Sequence, residues 1–349
     1  MKGYVMEKAV RNSNHELMRI IAMYMIVLIH ANMYLGYFCT GPSWSFFNGL
    51  VNGICDISAS VFIVASGYYG LKFSVRKLVK LECMMVTLSI LETVILCILR
   101  PEEMQGVALL EQLVKSFLPF ITSKHWYYSS YICLVLFSGY IQKFIDHLSQ
   151  KEFERFLLLL LVLFSVIPTF FYFELVPGNG KGVVNTIMIY MMGRYMRMYR
   201  DVKLPKKAGL LFLGLWLVNG LSHDVFPIKI GDIYHHWCKD NSITNMALTV
   251  IAFYMFKELK IQSKFINKAA TCVFAVFALN GSAVRLVMEY VQESGFESPG
   301  GILGALTLMG IVFLIWLALL LVGWLRELLF GRLDQKLGIF VENKLTFLH

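Results

Sequence analysis

Long apolar stretches recur along the chain and are separated by short polar segments. About ten of these stretches approach the roughly 20 residues that a helix needs to cross the hydrocarbon core of a bilayer. They lie near residues 17–37, 46–70, 78–99, 126–145, 155–174, 183–199, 208–222, 243–258, 270–290 and 302–325. None alternates apolar and polar residues as a barrel strand does, and in lipid each segment must satisfy its own backbone groups. The pattern predicts an all-α bundle of about ten transmembrane helices.

The segments between these stretches are too short for a soluble domain, so we expect a single integral-membrane domain over residues 1–349. Segment 104–122 is amphipathic, which predicts a helix at the extracytoplasmic interface of the membrane. The glycine-rich run 177–182 lacks the G-x-x-x-x-G-K-[ST] spacing of a phosphate loop and is therefore expected to be a turn.

The basic residues test this layout. If the N-terminus lies inside, the inward segments hold 23 of the 32 Lys and Arg residues, and the outward loops hold six. An excess of Lys and Arg in cytoplasmic loops is what the positive-inside rule requires. The chain is therefore predicted to be cytoplasmic at both its N-terminus and its C-terminus.

Composition agrees with a membrane protein. Hydrophobic residues make up 57% of the chain and charged residues 16%, whereas soluble proteins carry about 25% charged residues. The net charge of +9 is spread over short loops and not gathered on one face. We therefore expect the lipid bilayer as a partner and no nucleic acid.

Cysteine and histidine patterns give little sign of a metal. The seven cysteines contain no C-x-x-C pair, although Cys39 and Cys238 both fall in outward loops and could form a disulfide. One outward loop also gathers His223, His235, His236, Asp224 and Asp232. A metal site needs three ligands in a fixed geometry, so neither a metal nor a bound cofactor is expected.

The first apolar stretch carries two ionisable residues, Arg19 and His30. Eleven positions make three helical turns plus about 20°, so both side chains share one face, roughly 16 Å apart along the axis. Arginine suits an incoming phosphate, and a neutral imidazole can take a proton from a hydroxyl. The alternative is structural, since Arg can reach the lipid headgroups and His can bond between helices.

Other ionisable residues lie within predicted spans, where charges are costly and need partners. Asp56 and Glu82 could pair with Arg19 or Arg194. Farther along, Arg285 and Glu289 stand four positions apart and are expected to pair on one helix face. For these residues a packing role is at least as plausible as catalysis.

Several motifs resemble the membrane-embedded acyltransferase-3 family. Residues 11–30 resemble its first helix, with Arg19 and His30 matching R-x10-H, and residues 61–69 resemble F-x-x-x-S-G-Y/F. The resemblance continues through the basic loop 76–80 and then in three further stretches. Those stretches are Trp126-Tyr127-Tyr128 with Tyr131, Tyr190 to Arg197, and Asn241-Ser242-Ile243.

Members of this family move an acyl group, usually acetyl, from a cytoplasmic acyl-CoA to a sugar hydroxyl of an extracytoplasmic or lipid-linked glycan. The resemblance therefore implies a multi-pass O-acyltransferase of a bacterial cytoplasmic membrane. Acyl-CoA would be its donor substrate, and the glycan or lipid-linked sugar its acceptor.

The resemblance also assigns roles to residues. His30 would be the catalytic base, and Arg19, Arg76, Lys77 and Lys80 would bind the CoA phosphates. The family often shows R-x-x-R where this chain has Lys77-x-x-Lys80; an ordinary positive-inside loop is the alternative. Acceptor or supporting roles would fall to Ser66, Tyr68, Trp126, Tyr127, Tyr131, Arg194 and Asn280. For the Trp126 cluster, an interfacial aromatic belt and a platform for stacking a sugar are equally open.

Asn280 departs from the family pattern, because many members carry histidine at the end of the matching run. Asparagine can hydrogen-bond but cannot titrate, which leaves room for a non-catalytic member of the family. The main alternative from another class is a transporter or flippase of a glycan intermediate, since charges at membrane depth suit transport too. Transporters often show paired half-repeats, and no such symmetry is visible in this sequence.

Overall fold

A computed structural model describes residues 12–201, 203–226, 228–230 and 233–345. Residue 11, the first of the stretch 11–30, and Asp232 lie outside these ranges. The helices are α1 Ser13–Ala31, α2 Leu35–Phe38, α3 Gly41–Cys55, α4 Ile57–Tyr69, α5 Val75–Leu99, α6 Gly106–Phe117, α7 Trp126–Asp146, α8 Gln150–Leu161, α9 Ile167–Phe170, α10 Val183–Tyr199, α11 Ala208–Asp224, α12 Ile243–Glu258, α13 Lys264–Ala269, α14 Val273–Glu293 and α15 Gly301–Lys344. A 3₁₀ turn at Asn32–Tyr34 follows α1, and a π-helical turn at Val162–Val166 joins α8 to α9.

The chain is all-helical apart from one small hairpin in its described part. That hairpin pairs β1 Ile228–Ile230 with β2 Ile233–His235 in antiparallel register. Among the described residues, six helical segments are long and apolar enough to cross a membrane by length and composition. These are Ser13–Phe38, Gly41–Tyr69, Val75–Leu99, Gln150–Phe170, Val273–Glu293 and Gly301–Lys344.

The other four predicted spans are also helices, namely α7, α10, α11 and α12. They do not meet the same criterion of length and hydropathy. The all-helical prediction is therefore confirmed, whereas the number of about ten spans and the cytoplasmic position of both termini stay predictions. The amphipathic segment 104–122 contains α6, a surface helix in which Ser116 alone is buried.

Helix starts follow local capping chemistry. The Ser74 side chain accepts a hydrogen bond from the backbone N–H of Lys77 at the start of α5. Ser149 and Glu152 form a reciprocal capping box at the start of α8. Such caps satisfy backbone N–H groups that have no partner within the helix, and they place both helix starts before the apolar residues begin.

Helix α1 lies between two hydrophobic cores. Met23 and Val27 pack with α14 and α15 in the first core. Met18 and Ala22 pack with α4, α10 and α12 in the second. Any polar side chain of α1 that faces the seam between these cores is therefore in the middle of the bundle.

Helices α4 and α10 pack at backbone contact. A methyl group on Gly67 would overlap the carbonyl oxygen of Tyr190, and one on Gly193 would overlap that of Val64. Both positions therefore require glycine for the helices to approach this closely. The contact also brings Arg194 against Gly70, at the end of α4.

Replacing Gly67 by alanine is expected to destabilise the fold, because the added methyl forces α4 and α10 apart. Overpacking of this kind costs about 1–3 kcal/mol, which thermal unfolding in detergent would detect. Gly139→Ala in α7 is the control, since a methyl there meets nothing within 4 Å and should add about 0.5–1 kcal/mol of helix stability. Equal melting temperatures for Gly67→Ala and wild type would contradict the close contact.

The last helix is longer than the sequence predicted. Helix α15 has 44 residues, or about 66 Å, roughly twice the hydrocarbon thickness. The predicted span ended at residue 325 because the apolar run ends there. Beyond it, the buried Arg326 donates to Thr87 of α5 at 2.9 Å and forms an ion pair with Asp334, so the charged extension stays packed on α5.

No disulfide is present in the described chain, and all seven cysteines are free. Cys39 and Cys238, which the sequence allowed to pair, are both buried thiols.

Candidate active site

Three cavities lie next to one another within the bundle. The lysine cavity, about 410 Å³, is lined by Lys72, Ser74 and Lys77 among others. The central cavity, about 420 Å³, contains Arg19. The histidine cavity, about 400 Å³, contains His30.

Neighbouring cavities share wall residues, which places them in a row. Gly70 and Tyr131 line both the lysine cavity and the central cavity. Tyr127 and Phe277 line both the central cavity and the histidine cavity. The row therefore runs from a lysine-bearing loop, through an aromatic middle section, to an imidazole.

Arg19 and His30 open into adjoining cavities and not into one. Both belong to α1, Arg19 nearer its start and His30 one residue before its end, and the two cavities share Tyr127 and Phe277 as wall residues. The Arg19 guanidinium pairs with Glu16 at 2.9 Å and lies over the ring of Phe62. Arg19 is thus held in place beside the central cavity.

The orientation of His30 leaves one ring nitrogen free. Its Nδ1 is 2.7 Å from the backbone carbonyl oxygen of Ile26, one turn earlier in α1. A carbonyl can only accept, so Nδ1 carries the proton and the lone pair is on Nε2. The side chain is exposed to the histidine cavity, where Nε2 can act as a base.

Charged residues from several elements surround His30 in this cavity. Asp56 stands at the junction of α3 and α4, Lys124 and His125 precede α7, and Lys181 and Asp240 come from loops. The pairing predicted for Asp56 with Arg19 or Arg194 is therefore wrong. It is also wrong for Glu82, which accepts a hydrogen bond from Tyr128.

Two residues from the connections around His30, namely His125 and Asp240, have perturbed pKa values. Burial lowers the pKa of His125 to about 4; Glu92 opposes this effect, while Lys124 and His30 add to it. Burial raises the pKa of Asp240 to about 6 despite the nearby ammonium of Lys181. At neutral pH, His125 is therefore a neutral imidazole.

Lys124 is not a free cation. It forms a 2.5 Å ion pair with Glu92 of α5, and both side chains are buried. Ser282 of α14 donates to the same carboxylate. This arrangement ties the segment before α7 to α5 and α14, and so fixes the position of His125.

The glycine-rich turn presents Lys181. Gly178, Asn179 and Gly180 all have positive φ, and a methyl on Gly180 would clash with Asn241. The turn is therefore docked against the segment that carries Asp240. The sequence predicted the turn correctly but gave no sign that its lysine reaches the cavity of His30.

The central cavity has aromatic walls. Tyr127 and Tyr131 stack with their centroids 6.1 Å apart, and Trp126 meets Tyr127 edge-on at 5.8 Å. Ser66 lines this cavity but donates its hydroxyl to the carbonyl oxygen of Phe62 at 2.9 Å. Trp126 itself lines the histidine cavity.

Only part of the predicted donor set faces a cavity. Lys77 lines the lysine cavity, and so does Lys72, which the sequence analysis did not select. Arg76 pairs with Glu342 at 2.6 Å, and Lys80 pairs with Glu327 at 2.8 Å. Both glutamates belong to α15, so these two cations are neutralised within the chain.

Arg194 lies on the lysine-bearing side and not beside His30. Its guanidinium packs against Gly70, at 3.0 Å from where a methyl on that residue would stand. Its Nε is buried without a hydrogen-bond partner, and no carboxylate lies within ion-pair distance in the described chain. Arg194 is therefore a cation without a carboxylate partner among the described residues, and it packs against Gly70, which lines both the lysine and the central cavities.

Tyr68 lies away from all three cavities. It is buried on Phe253, with the charged ends of Arg197 and Lys257 each 5.3 Å from its ring centroid. The acceptor role expected for Tyr68 therefore has no support in its position, which is that of a packing residue.

Asn280 does line the histidine cavity. It is 4% exposed, and its Nδ2 donates to the carbonyl oxygen of Phe277 at 2.7 Å. Its Oδ1 is buried without a partner in the described chain.

The predicted pair of Arg285 and Glu289 is present at 3.9 Å, within a wider network. Arg285 also contacts Glu103 at 2.9 Å, and Glu289 contacts Arg100 at 3.1 Å. This network ties α14 to the loop after α5.

The described residues contain no group of three His, Cys, Asp or Glu side chains that could hold a metal ion. His223 instead contacts Asp224 at 2.5 Å and packs on His236.

The long apolar helices of this all-helical chain indicate a membrane protein, and the row of three cavities is its candidate active site. A family model described as an acyltransferase domain matches residues 12–327. The chain therefore belongs to the acyltransferase-3 family, as its motifs predicted. Comparisons with curated proteins and with solved structures give no match.

Proposed function

We propose that this protein is a membrane O-acyltransferase that moves an acyl group, acetyl in the simplest case, from cytoplasmic acyl-CoA to a hydroxyl of an extracytoplasmic or lipid-linked glycan. Its location would be a bacterial cytoplasmic membrane. The observation that carries this proposal is the row of three cavities. The row has a cation-bearing loop at one end and an imidazole whose Nε2 is free at the other.

The donor would enter at the lysine cavity. Lys72 and Lys77 line this cavity and would bind the CoA phosphates, since Arg76 and Lys80 are already paired. Arg194, which packs against the wall residue Gly70, would be a third cation for them. Arginine can bind a phosphate with two parallel hydrogen bonds. The pantetheine arm would then follow the aromatic central cavity past Arg19 and bring the thioester to Tyr127 and Phe277.

The chemistry would take place at His30. Nε2 removes the proton from the acceptor hydroxyl as its oxygen attacks the thioester carbonyl carbon. The tetrahedral intermediate then collapses with cleavage of the carbon–sulfur bond, and the imidazolium returns the proton to the departing CoA thiolate. The products are an ester and CoA-SH. The aromatic walls of the central cavity would keep water from the thioester.

The acceptor would occupy the histidine cavity. Asp56 and Asp240 can accept hydrogen bonds from sugar hydroxyls, and Trp126 offers an indole face to a sugar ring. Asn280 adds an unpaired carboxamide oxygen.

Acyl transfer from labelled acetyl-CoA tests the proposal. Purified protein in detergent is mixed with labelled acetyl-CoA and a glycan extract from the source membrane, and CoA-SH release and glycan labelling are both measured. We expect the two signals to rise together. A transporter or flippase would give neither CoA-SH release nor glycan labelling, and the same result is expected of a non-catalytic member of the family. Mass spectrometry of surface glycans from a deletion strain gives a second test, since an unchanged acylation profile would contradict the proposal.

Replacing Arg194 by leucine is expected to raise KM for acetyl-CoA about tenfold or more, because a hydrogen bond to a charged group is worth about 1.5–3 kcal/mol. We expect kcat to change little, since Arg194 packs against Gly70 and does not line the histidine cavity. Arg155→Leu is the matched control, as Arg155 is exposed on α8 and lines none of the cavities. An unchanged KM in Arg194→Leu would remove Arg194 from the donor site.

A further inference from the structure

A second histidine faces the cavity of His30. His125 is the last residue before α7 and lines the histidine cavity together with His30 and Asn280. Its ring packs on Phe277 with the centroids 5.4 Å apart. The ion pair of Lys124 with Glu92 holds the backbone next to it.

The imidazole of His125 lacks a partner. Its Nε2 is buried and has no hydrogen bond within the described part of the chain. A buried polar atom without a partner is costly, and Asn280, which lines the same cavity, has a second such atom in its Oδ1. Two unsatisfied groups in one cavity indicate that a bound molecule satisfies them.

The charge state of His125 decides what it can do. Its pKa of about 4 leaves it neutral at physiological pH, so it is a poor base and carries no charge. A neutral imidazole still has one N–H to donate. The charged groups that share its surroundings are the Lys124–Glu92 pair, His30, Asp56, Lys181 and Asp240.

We propose that His125 is a further catalytic residue, whose neutral N–H donates a hydrogen bond to the thioester carbonyl oxygen as that oxygen becomes negative. This inference rests on the proposed function. His30 and His125 then have different tasks: His30 moves the proton, whereas His125 stabilises the oxyanion and keeps its own proton throughout. A fixed donor that needs no rearrangement is well suited to this task.

This assignment also suggests a role for Asn280 in binding the acceptor. Asn280 cannot titrate, but its Oδ1 can accept a hydrogen bond from an acceptor group. The cavity would then hold a base, an oxyanion donor and an acceptor-binding amide without a second titrating group on α14.

Three substitutions of His125 separate catalysis from packing. Phenylalanine preserves the ring against Phe277 but has no N–H, glutamine preserves an N–H donor but has no ring, and alanine has neither. We expect kcat with acetyl-CoA to fall about 10²-fold in His125→Ala and His125→Phe, with KM for acetyl-CoA within about threefold. We expect His125→Gln to retain about tenfold more activity than His125→Phe.

A residue that only packs would give the reverse order, with His125→Phe close to wild type and His125→Gln impaired. That order would overturn the inference. The inference would also be overturned if one of the pH-dependent flanks of the kcat profile disappeared in His125→Gln, because that result would mean that His125 titrates during turnover. Turnover by the wild-type protein with full activity in His125→Ala overturns this inference alone, whereas no turnover by wild type overturns the proposed function as well. His147→Gln, at an exposed histidine at the end of α7, is the control.

Discussion

Replacing His30 by alanine is expected to lower the rate of acyl transfer about 10³-fold, within the range of 10²–10⁴ typical of a removed general base. The other imidazole of the cavity cannot take over as the base, because burial lowers the pKa of His125 to about 4. Binding of acetyl-CoA should be nearly unchanged, because the cations proposed for its phosphates lie at the other end of the row. The measurement is CoA-SH release together with donor binding by the same preparation.

The chain offers a matched control for this substitution. His147 has the same local geometry as His30, with Nδ1 at 2.7 Å from the carbonyl oxygen of Lys143, four positions earlier. It lies at the far end of α7 and lines none of the three cavities. His147→Ala should therefore keep full activity. Equal rates in His30→Ala and wild type would remove His30 from the mechanism.

Local patterns predicted the helices well, since helical order depends on neighbours along the chain. The predicted spans 183–199 and 243–258 coincide with α10 and α12. Helix α15 was predicted too short because hydropathy follows only the part that faces lipid. Its polar extension is held by packing on α5, through contacts of Arg326 with Thr87 and Asp334.

The shared face of Arg19 and His30 could be predicted for the same reason, as both belong to one helix. The ion pairs of Arg76 and Lys80 could not be predicted from the sequence. Their partners, Glu342 and Glu327, lie 266 and 247 positions away along the chain. A basic loop after a helix looks the same in sequence whether its cations are free or paired, and only tertiary structure separates the two cases.

The loop residues of the site were the hardest to foresee. His125, Lys181 and Asp240 come from three separate connections, and each has an ordinary local context. Lys181 is part of a glycine-rich turn, and His125 precedes a run of aromatic residues. Their convergence on His30 follows from helix packing, to which sequence spacing gives no guide.

The central cavity should be essential if donor and acceptor meet between Arg19 and His30. Ala65 lines this cavity on α4, and tryptophan at that position would fill much of it. We expect Ala65→Trp to reduce transfer from acetyl-CoA to the level seen without donor, because the pantetheine arm could no longer reach Phe277. Val94→Trp places the same side chain on the exposed face of α5, where Val94 is 48% exposed, and should leave transfer unchanged.

A smaller side chain at position 65 gives a partial block of the cavity and is less disruptive to the fold than tryptophan. Ala65→Leu should narrow the passage without closing it, so transfer should fall more steeply with increasing acyl chain length than in wild type. Size-exclusion profiles and melting temperatures of both variants check that the bundle is intact. Full transfer by a folded Ala65→Trp protein would mean that the donor reaches His30 by another route, and the row of cavities would then lose its role in the mechanism.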